Sequence, residues 1–141
     1  MKITFADMDG LVKYVVPVVQ PPVKFGQTTN NETFNTLKFG DIKLMGDKGL
    51  RTVEWSSFFP VNKRYYNFIE AGAELNGQEY VDFLEDHAEE PFRLVITERY
   101  KTIRNMLVTV DTFDYEYNKA GDIEYSLKLE EFPDNANAKS I

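Results

Sequence analysis

The chain has no cysteine and a single histidine in 141 residues. Without cysteine there is no disulfide framework, no thiolate nucleophile and no cysteine zinc site, so the fold must rest on packing, as suits a reducing compartment. The lone His87 excludes a histidine-pair metal site, and a Ser/His/Asp triad would have to recruit it from the apolar edge of a helix, where a structural role is the simpler reading. No apolar run approaches the roughly 18 to 20 residues needed to cross a bilayer, and Met1-Lys2-Ile3-Thr4-Phe5, followed by Asp7 and Asp9, lacks the apolar core of a secretory signal. Positive charge is scarce. Sixteen Lys and Arg against twenty-three Asp and Glu give a net charge of -7 and a pI near 4.8, a poor match to a phosphate backbone, whose binding depends on clustered cations. Gly40, Gly46 and Gly49 are not followed by the Lys-Ser or Lys-Thr helix start of a phosphate loop. Nucleic acid, membrane and nucleotide cofactors are therefore not expected as partners.

What is abundant is aromatic: eleven Phe and eight Tyr, residues that suit half-buried strands and contact surfaces. The length fits one domain with one core, expected over residues 1–132, and the Asn, Ala and Ser-rich stretch 133–141 reads as a loose tail. Leu11 to Val19 is a β-rich run broken by Pro17, so it lies at a sheet edge or leaves the sheet there. Pro21-Pro22 forces an extended passage, and Gly26 to Glu32 has loop composition. Strands are expected on both sides of a Gly46-Asp47-Lys48-Gly49 turn. Ile42 and Leu44 oppose Asp41 and Lys43, and Val53, Trp55 and Phe59 share a face opposite Thr52, Glu54 and Ser56. Arg64 to Ala73 fits no period and reads as loop or a short helical turn.

Gln78 to Glu90 carries Tyr80, Val81, Phe83, Leu84, His87 and Ala88 on one stripe of an amphipathic helix ended by Pro91, with Asp82, Glu85, Asp86 and Glu89 on the other face, open to solvent or a basic partner. Phe92, Leu94 and Ile96 then alternate in a strand. Met106, Val108 and Val110 do the same, and Phe113, Tyr115 and Tyr117 continue one residue out of phase, which predicts a bulge near Asp111-Thr112. A turn at Asn118 to Asp122 leads into Ile123, Tyr125, Leu127 and Leu129. The expected class is mainly β with one helix (α+β): an antiparallel β-sandwich or partly closed barrel with the helix packed across it.

Phe5-Ala6-Asp7-Met8-Asp9-Gly10-Leu11 looks like the nucleophile motif of haloacid-dehalogenase-type phosphatases, with Asp7 as nucleophile and Asp9 as acid and base. That chemistry needs the loop at the carboxyl end of a central parallel strand, with a Lys and further carboxylates for Mg²⁺. The later hairpins favour an Asp and Gly turn instead. An EF-hand reading of the same residues fails because Val18 stands where its closing Glu belongs. The carboxylates Glu85, Asp86, Glu89 and Glu90 suit a solvated helix face better than a catalytic or cation site.

The run Phe39-Gly40-Asp41-Ile42 through Leu50-Arg51 to Trp55-Ser56-Ser57-Phe58-Phe59-Pro60, with Val16-Pro17-Val18, Pro21-Pro22, Pro91-Phe92-Arg93-Leu94-Val95-Ile96-Thr97, Asn105-Met106-Leu107-Val108-Thr109-Val110 and Gly121-Asp122-Ile123, resembles the amino-terminal domain of LysM-type baseplate proteins. These belong to contractile phage tails and tail-like bacteriocins. The resemblance implies a tail-tube-like fold and a structural, non-enzymatic adaptor in a hexameric ring, made in the bacterial cytoplasm and then carried in the baseplate of the particle. Its implied partners are the tail tube protein, the hub or spike protein, and wedge or sheath-initiator proteins, with no cofactor. Many relatives continue into a LysM module. No LysM-like repeat stands here, so peptidoglycan binding is not carried over. A tail tube or tube-initiator subunit is the alternative, and a small Asp-nucleophile phosphatase a more distant one. Candidate contact residues are Trp55, Phe58, Phe59, Tyr115, Tyr117, Asp82, Glu85, Asp86 and Glu89, with core packing the competing role for each aromatic and the favoured one for Trp55 and Phe59.

Overall fold

The computed structural model describes residues 1–29, 32–36, 40–44, 48–61, 66–74 and 76–133. Among the described residues, nine strands and one helix follow in the order β1 (Lys2–Ala6), β2 (Lys13–Val15), β3 (Lys24–Thr29), β4 (Glu32–Thr36), β5 (Gly40–Leu44), β6 (Lys48–Phe59), α1 (Gln78–Asp86), β7 (Phe92–Glu98), β8 (Lys101–Tyr117) and β9 (Ile123–Glu131). Seven of the strands form one antiparallel sheet in the order β2-β1-β7-β8-β9-β6-β3, and β4 and β5 pair with each other.

The two-residue period of a strand decides which side chains enter the core. Val53, Trp55 and Phe59 on β6, Phe92, Leu94 and Ile96 on β7, and Ile123, Tyr125, Leu127 and Leu129 on β9 are all buried, as their alternation predicts. β8 changes parity where expected. Val110 faces Leu129 and Phe113 faces Leu127, so the register slips by one residue between Val110 and Thr112 and Asp111 is the extra residue of a bulge.

The sheet is rolled, not flat. Phe5 on β1 and Trp55 on β6 are four strand positions apart, which in a flat sheet would separate them by about 19 Å at ~4.8 Å per strand. Their rings are 6.2 Å apart, centroid to centroid. β1 and β6 are thus opposite walls of one core, and α1 fills it by burying Tyr80, Val81, Phe83 and Leu84. Three rings stack through the centre: Tyr80 on Phe59 at 4.9 Å and Phe59 on Tyr125 at 4.0 Å. Gly77 allows the helix this close, since a Cβ there would lie 2.7 Å from Phe59 Cβ and 2.8 Å from the Pro60 carbonyl oxygen.

The expected sandwich or partly closed barrel resolves, among the described residues, into a rolled seven-stranded sheet whose edge strands β2 and β3 are not paired to each other, with β4 and β5 as a separate pair. The chain between those edges crosses the seam, where the Ser57 hydroxyl donates to the Val18 carbonyl at 2.8 Å. Two further expectations are corrected. The helix starts at Gln78 but ends at Asp86, four residues before Glu90. No basic residue lies in its last turn, the carboxylates of Glu85 and Asp86 oppose the negative end of the helix dipole, and Pro91 disfavours helical geometry just before it. The polar run after Gly26 is not all loop, because Lys24–Thr29 is a strand paired with β6. Strands do stand on both sides of the expected turn, β5 pairing with β4 and Lys48 and Gly49 opening β6, while residues 45–47 lie outside the described residues, as does the tail from 134.

Candidate functional site

Asp7 and Asp9 sit on the β1–β2 turn and are used by it. Asp7 Oδ1 accepts the Val12 N–H at 3.3 Å and Asp9 Oδ1 the Leu11 N–H at 3.0 Å. The Gly10 N–H reaches the Asp7 carbonyl at 3.0 Å, with Gly10 at a φ of 76° that favours glycine. The contact with Asp9, opposed by burial and joined by backbone bonds from Val12, Gly10 and Leu11, holds Asp7 below the usual carboxylate range. β1 is antiparallel to both neighbours, so the parallel-strand setting of the phosphatase motif is missing. The braced tip instead holds Met8, Leu11 and Val12 out in solvent.

Beside this turn a cleft of about 330 Å³ is lined by Asp7, Tyr14, Glu79, Asp82, Asp86 and His87, among others. Burial first, and then Glu79 and the carboxylates around it, push the Tyr14 phenol up. Burial and then Glu74 push Glu79 up. Among the described residues no group of three or more His, Asp or Glu side chains is arranged to hold a metal ion. His87 is structural, its Nδ1 2.9 Å from the Phe83 carbonyl and its ring stacked on Phe83 at 4.2 Å.

The candidate contact residues separate into two groups. Trp55 and Phe59 take the core role that their alternation predicts: both are odd-numbered on β6, whose odd positions face inward, and they are 4% and 0% exposed. Trp55 Nε1 donates to the Tyr125 hydroxyl at 2.8 Å. The remaining residues are reachable. Phe58 points outward and meets Tyr66 at 5.5 Å and the exposed Phe68 at 6.3 Å, in a cluster anchored where the Tyr66 hydroxyl donates to the buried Asp122. Tyr66 and Phe68 lie in the stretch that fits no period, and only their aromatic density marks them. Tyr115 and Tyr117 continue a ladder from Phe113 and reach across to α1, where their hydroxyls donate to Glu85 at 2.9 Å and to Gln78. Asp82, Glu85 and Asp86 on the wet face of α1, and Glu89 beyond its end, are exposed.

Two features of the sheet have no counterpart in the pattern of residues alone. β7 accompanies β8 only over Lys101–Val108. From Thr109 to Tyr117, β8 has β9 on one side and no strand on the other among the described residues, so a nine-residue backbone edge is left free. On the outer surface of β6 and β9 lies a groove of about 600 Å³, walled by Pro21, Pro22, Lys24 and Lys128 and floored by Ser56 and Ser126, whose hydroxyls meet at 2.8 Å. Gln20, Ser56 and Ser126 also line an adjoining hollow of about 450 Å³. Neither surface has a catalytic constellation. A free edge, exposed aromatics and an acidic helix face are the makings of protein contact.

No family model matches the chain. A curated relative, the uncharacterized protein YqbP of Bacillus subtilis strain 168, is 25% identical over 127 residues, which is 87% of this chain but only 56% of YqbP, so the chain spans little more than half the length of that relative. Among solved structures, a chain from the tail of an empty GTA particle, computed with helical refinement and C6 symmetry, superposes with a TM-score of 0.54. It shares 12% identity and the match covers 94% of this chain and 92% of that one, so the two share a fold.

Proposed function

We propose that the chain is a structural component of a contractile tail or tail-like particle, a ring-forming adaptor that joins the tail tube to the central hub and spike in the baseplate. The observation that carries this reading is the likeness of almost the whole chain to a chain in a six-fold tail. The free edge of β8 supports it, because a strand edge of nine residues left open opposite β9 offers a neighbouring subunit a row of backbone hydrogen bonds. The sheet edges at β2 and β3 give each copy other strands to present in turn, as a head-to-tail ring requires. The chain works by docking and not by catalysis. It assembles from the cytoplasm into the particle, with tube, hub and neighbouring baseplate proteins as its contacts.

A second reading, a tube or tube-initiator subunit, is favoured by the helical refinement of that same neighbour. Copy number separates the two. Quantitative mass spectrometry of purified particles is expected to give one ring, six copies, for the adaptor if it follows the six-fold symmetry of the neighbour. A count that grows with tail length would make the chain a tube subunit.

A further inference from the structure

We propose that the Asp7–Val12 turn of one copy seats in the outer groove of a second copy, joining the chain to itself head to tail. The contact refines the ring reading above by naming its two surfaces. The turn is an anchor already in shape. The Asp7 N–H to Val12 carbonyl bond at 3.1 Å and the Asx bonds to Leu11 and Val12 fix it, so docking it costs little ordering entropy. Single exposed hydrophobic residues are ordinary. Here three stand on one braced tip, with Leu11 84%, Met8 58% and Val12 45% exposed, and Asp7 and Asp9 flank them. Such a tip fits a socket that is apolar inside and cationic at the rim.

The groove answers that description. Pro21 and Pro22 give it apolar surface, and Lys24 and Lys128 stand on its rim, with Glu54 also in the lining. Its volume of about 600 Å³ is in the range of clefts that bury a ligand. Both lysines are held loosely, Lys24 at 3.6 Å from Glu54 and Lys128 at 3.7 Å from Asp111. Exposed pairs at such distances contribute little, so both cations are free to turn to the carboxylates of an incoming turn.

Placement on the fold excludes the molecule's own turn, so the contact must join two copies. β1 and β6 are opposite walls of the core, as the Phe5 and Trp55 contact shows. The turn leaves the β1 wall, and the groove lies outside the β6 wall. A molecule cannot reach its own groove, and two molecules joined this way leave one turn and one groove unused. Such heterologous contacts propagate into rings or filaments instead of closing as two-fold dimers.

The absence of native cysteine gives a clean test. A Leu11→Cys chain is mixed at high concentration with a Ser126→Cys chain and a short bismaleimide linker, and the same pair is tested in assembled particles. The expected product is a heterodimer in at least one setting, with a ladder from the Leu11→Cys/Ser126→Cys double variant. Lys24→Glu with Lys128→Glu in the groove chain should cut the heterodimer yield at least tenfold while its circular dichroism and thermal midpoint stay unchanged. No heterodimer in either setting would overturn the proposal. So would Leu11→Cys chains linking to each other, or linking in particles to a different polypeptide. If the chain is missing from particles the tail reading fails by itself, and the free-chain mixture still decides the contact.

Discussion

Tyr125 shows how one side chain ties the core together. Its ring stacks on Phe59 at 4.0 Å and its hydroxyl accepts the Trp55 indole N–H at 2.8 Å. Burial pushes the phenol well above its ordinary ionisation range, so it stays neutral. Tyr125→Phe keeps the stack but strands a buried donor, at about 1–3 kcal/mol. Phe59→Ala removes the middle ring and is expected to cost more, about 3–5 kcal/mol. Urea unfolding should show both as a lower midpoint, in that order, at unchanged slope. Glu131 supplies a pH dependence. Its hydrogen bonds from Arg51, at 2.8 Å from the side chain and 3.2 Å from the backbone, hold its carboxyl below the usual range. Because the folded value is depressed, the stabilisation is complete above the unfolded value and is lost as pH falls through the folded one. Wild type should therefore be more stable than Glu131→Gln at neutral pH, with the gap closing below about pH 4.5. A gap that widens in acid would reverse the sign.

At the scale of elements, two predictions separate packing from pairing. Gly77 has an ordinary helical φ of -62°, so its need is for space and not conformation. Gly77→Ala should push α1 off the Phe59-Pro60 corner and cost about 1–3 kcal/mol, measured by thermal unfolding. On β8, successive N–H groups point to opposite sides. Of Asp114→Pro and Tyr115→Pro, one should break the ladder with β9 and lower the thermal midpoint. The other, with its lost N–H on the free edge, should fold as wild type yet fail to enter particles. Equal behaviour of the two would contradict a docking role for that edge. Much of this level was legible in the sequence because it is local. Alternation alone placed Trp55, Leu94 and Leu127 inward, and the phase slip between Val110 and Phe113 located the bulge at Asp111. Pairing is not local. Nothing near Gly40 says that β5 takes β4 as partner, and β3 holds its polar Gln27 and Thr29 in a strand because β6 lies beside it. The free edge was likewise invisible, since it exists only because β7 is shorter than β8.

For the whole molecule, composition excluded more than it identified. The acidic balance and the missing cysteines turned the reading away from nucleic acid and from thiol chemistry, and the aromatic content pointed to contact surfaces. It did not divide buried rings from exposed ones. Trp55 and Phe59 belong to the core, and Phe58, between Ser57 and Phe59 in the chain, faces out to Tyr66 and Phe68. The Asp7 and Asp9 motif was ambiguous as a string and became readable once β1 was seen between two antiparallel neighbours. The docking reading predicts that Asp7→Asn changes nothing in a Mg²⁺ phosphatase assay, whereas wild-type turnover abolished by that substitution would restore the enzyme. The most direct test of the adaptor is where the chain sits. Electron microscopy of particles carrying a tagged chain should show the label confined to the spike-proximal end of the tube. Label along the whole tube, or particles without label, would contradict it.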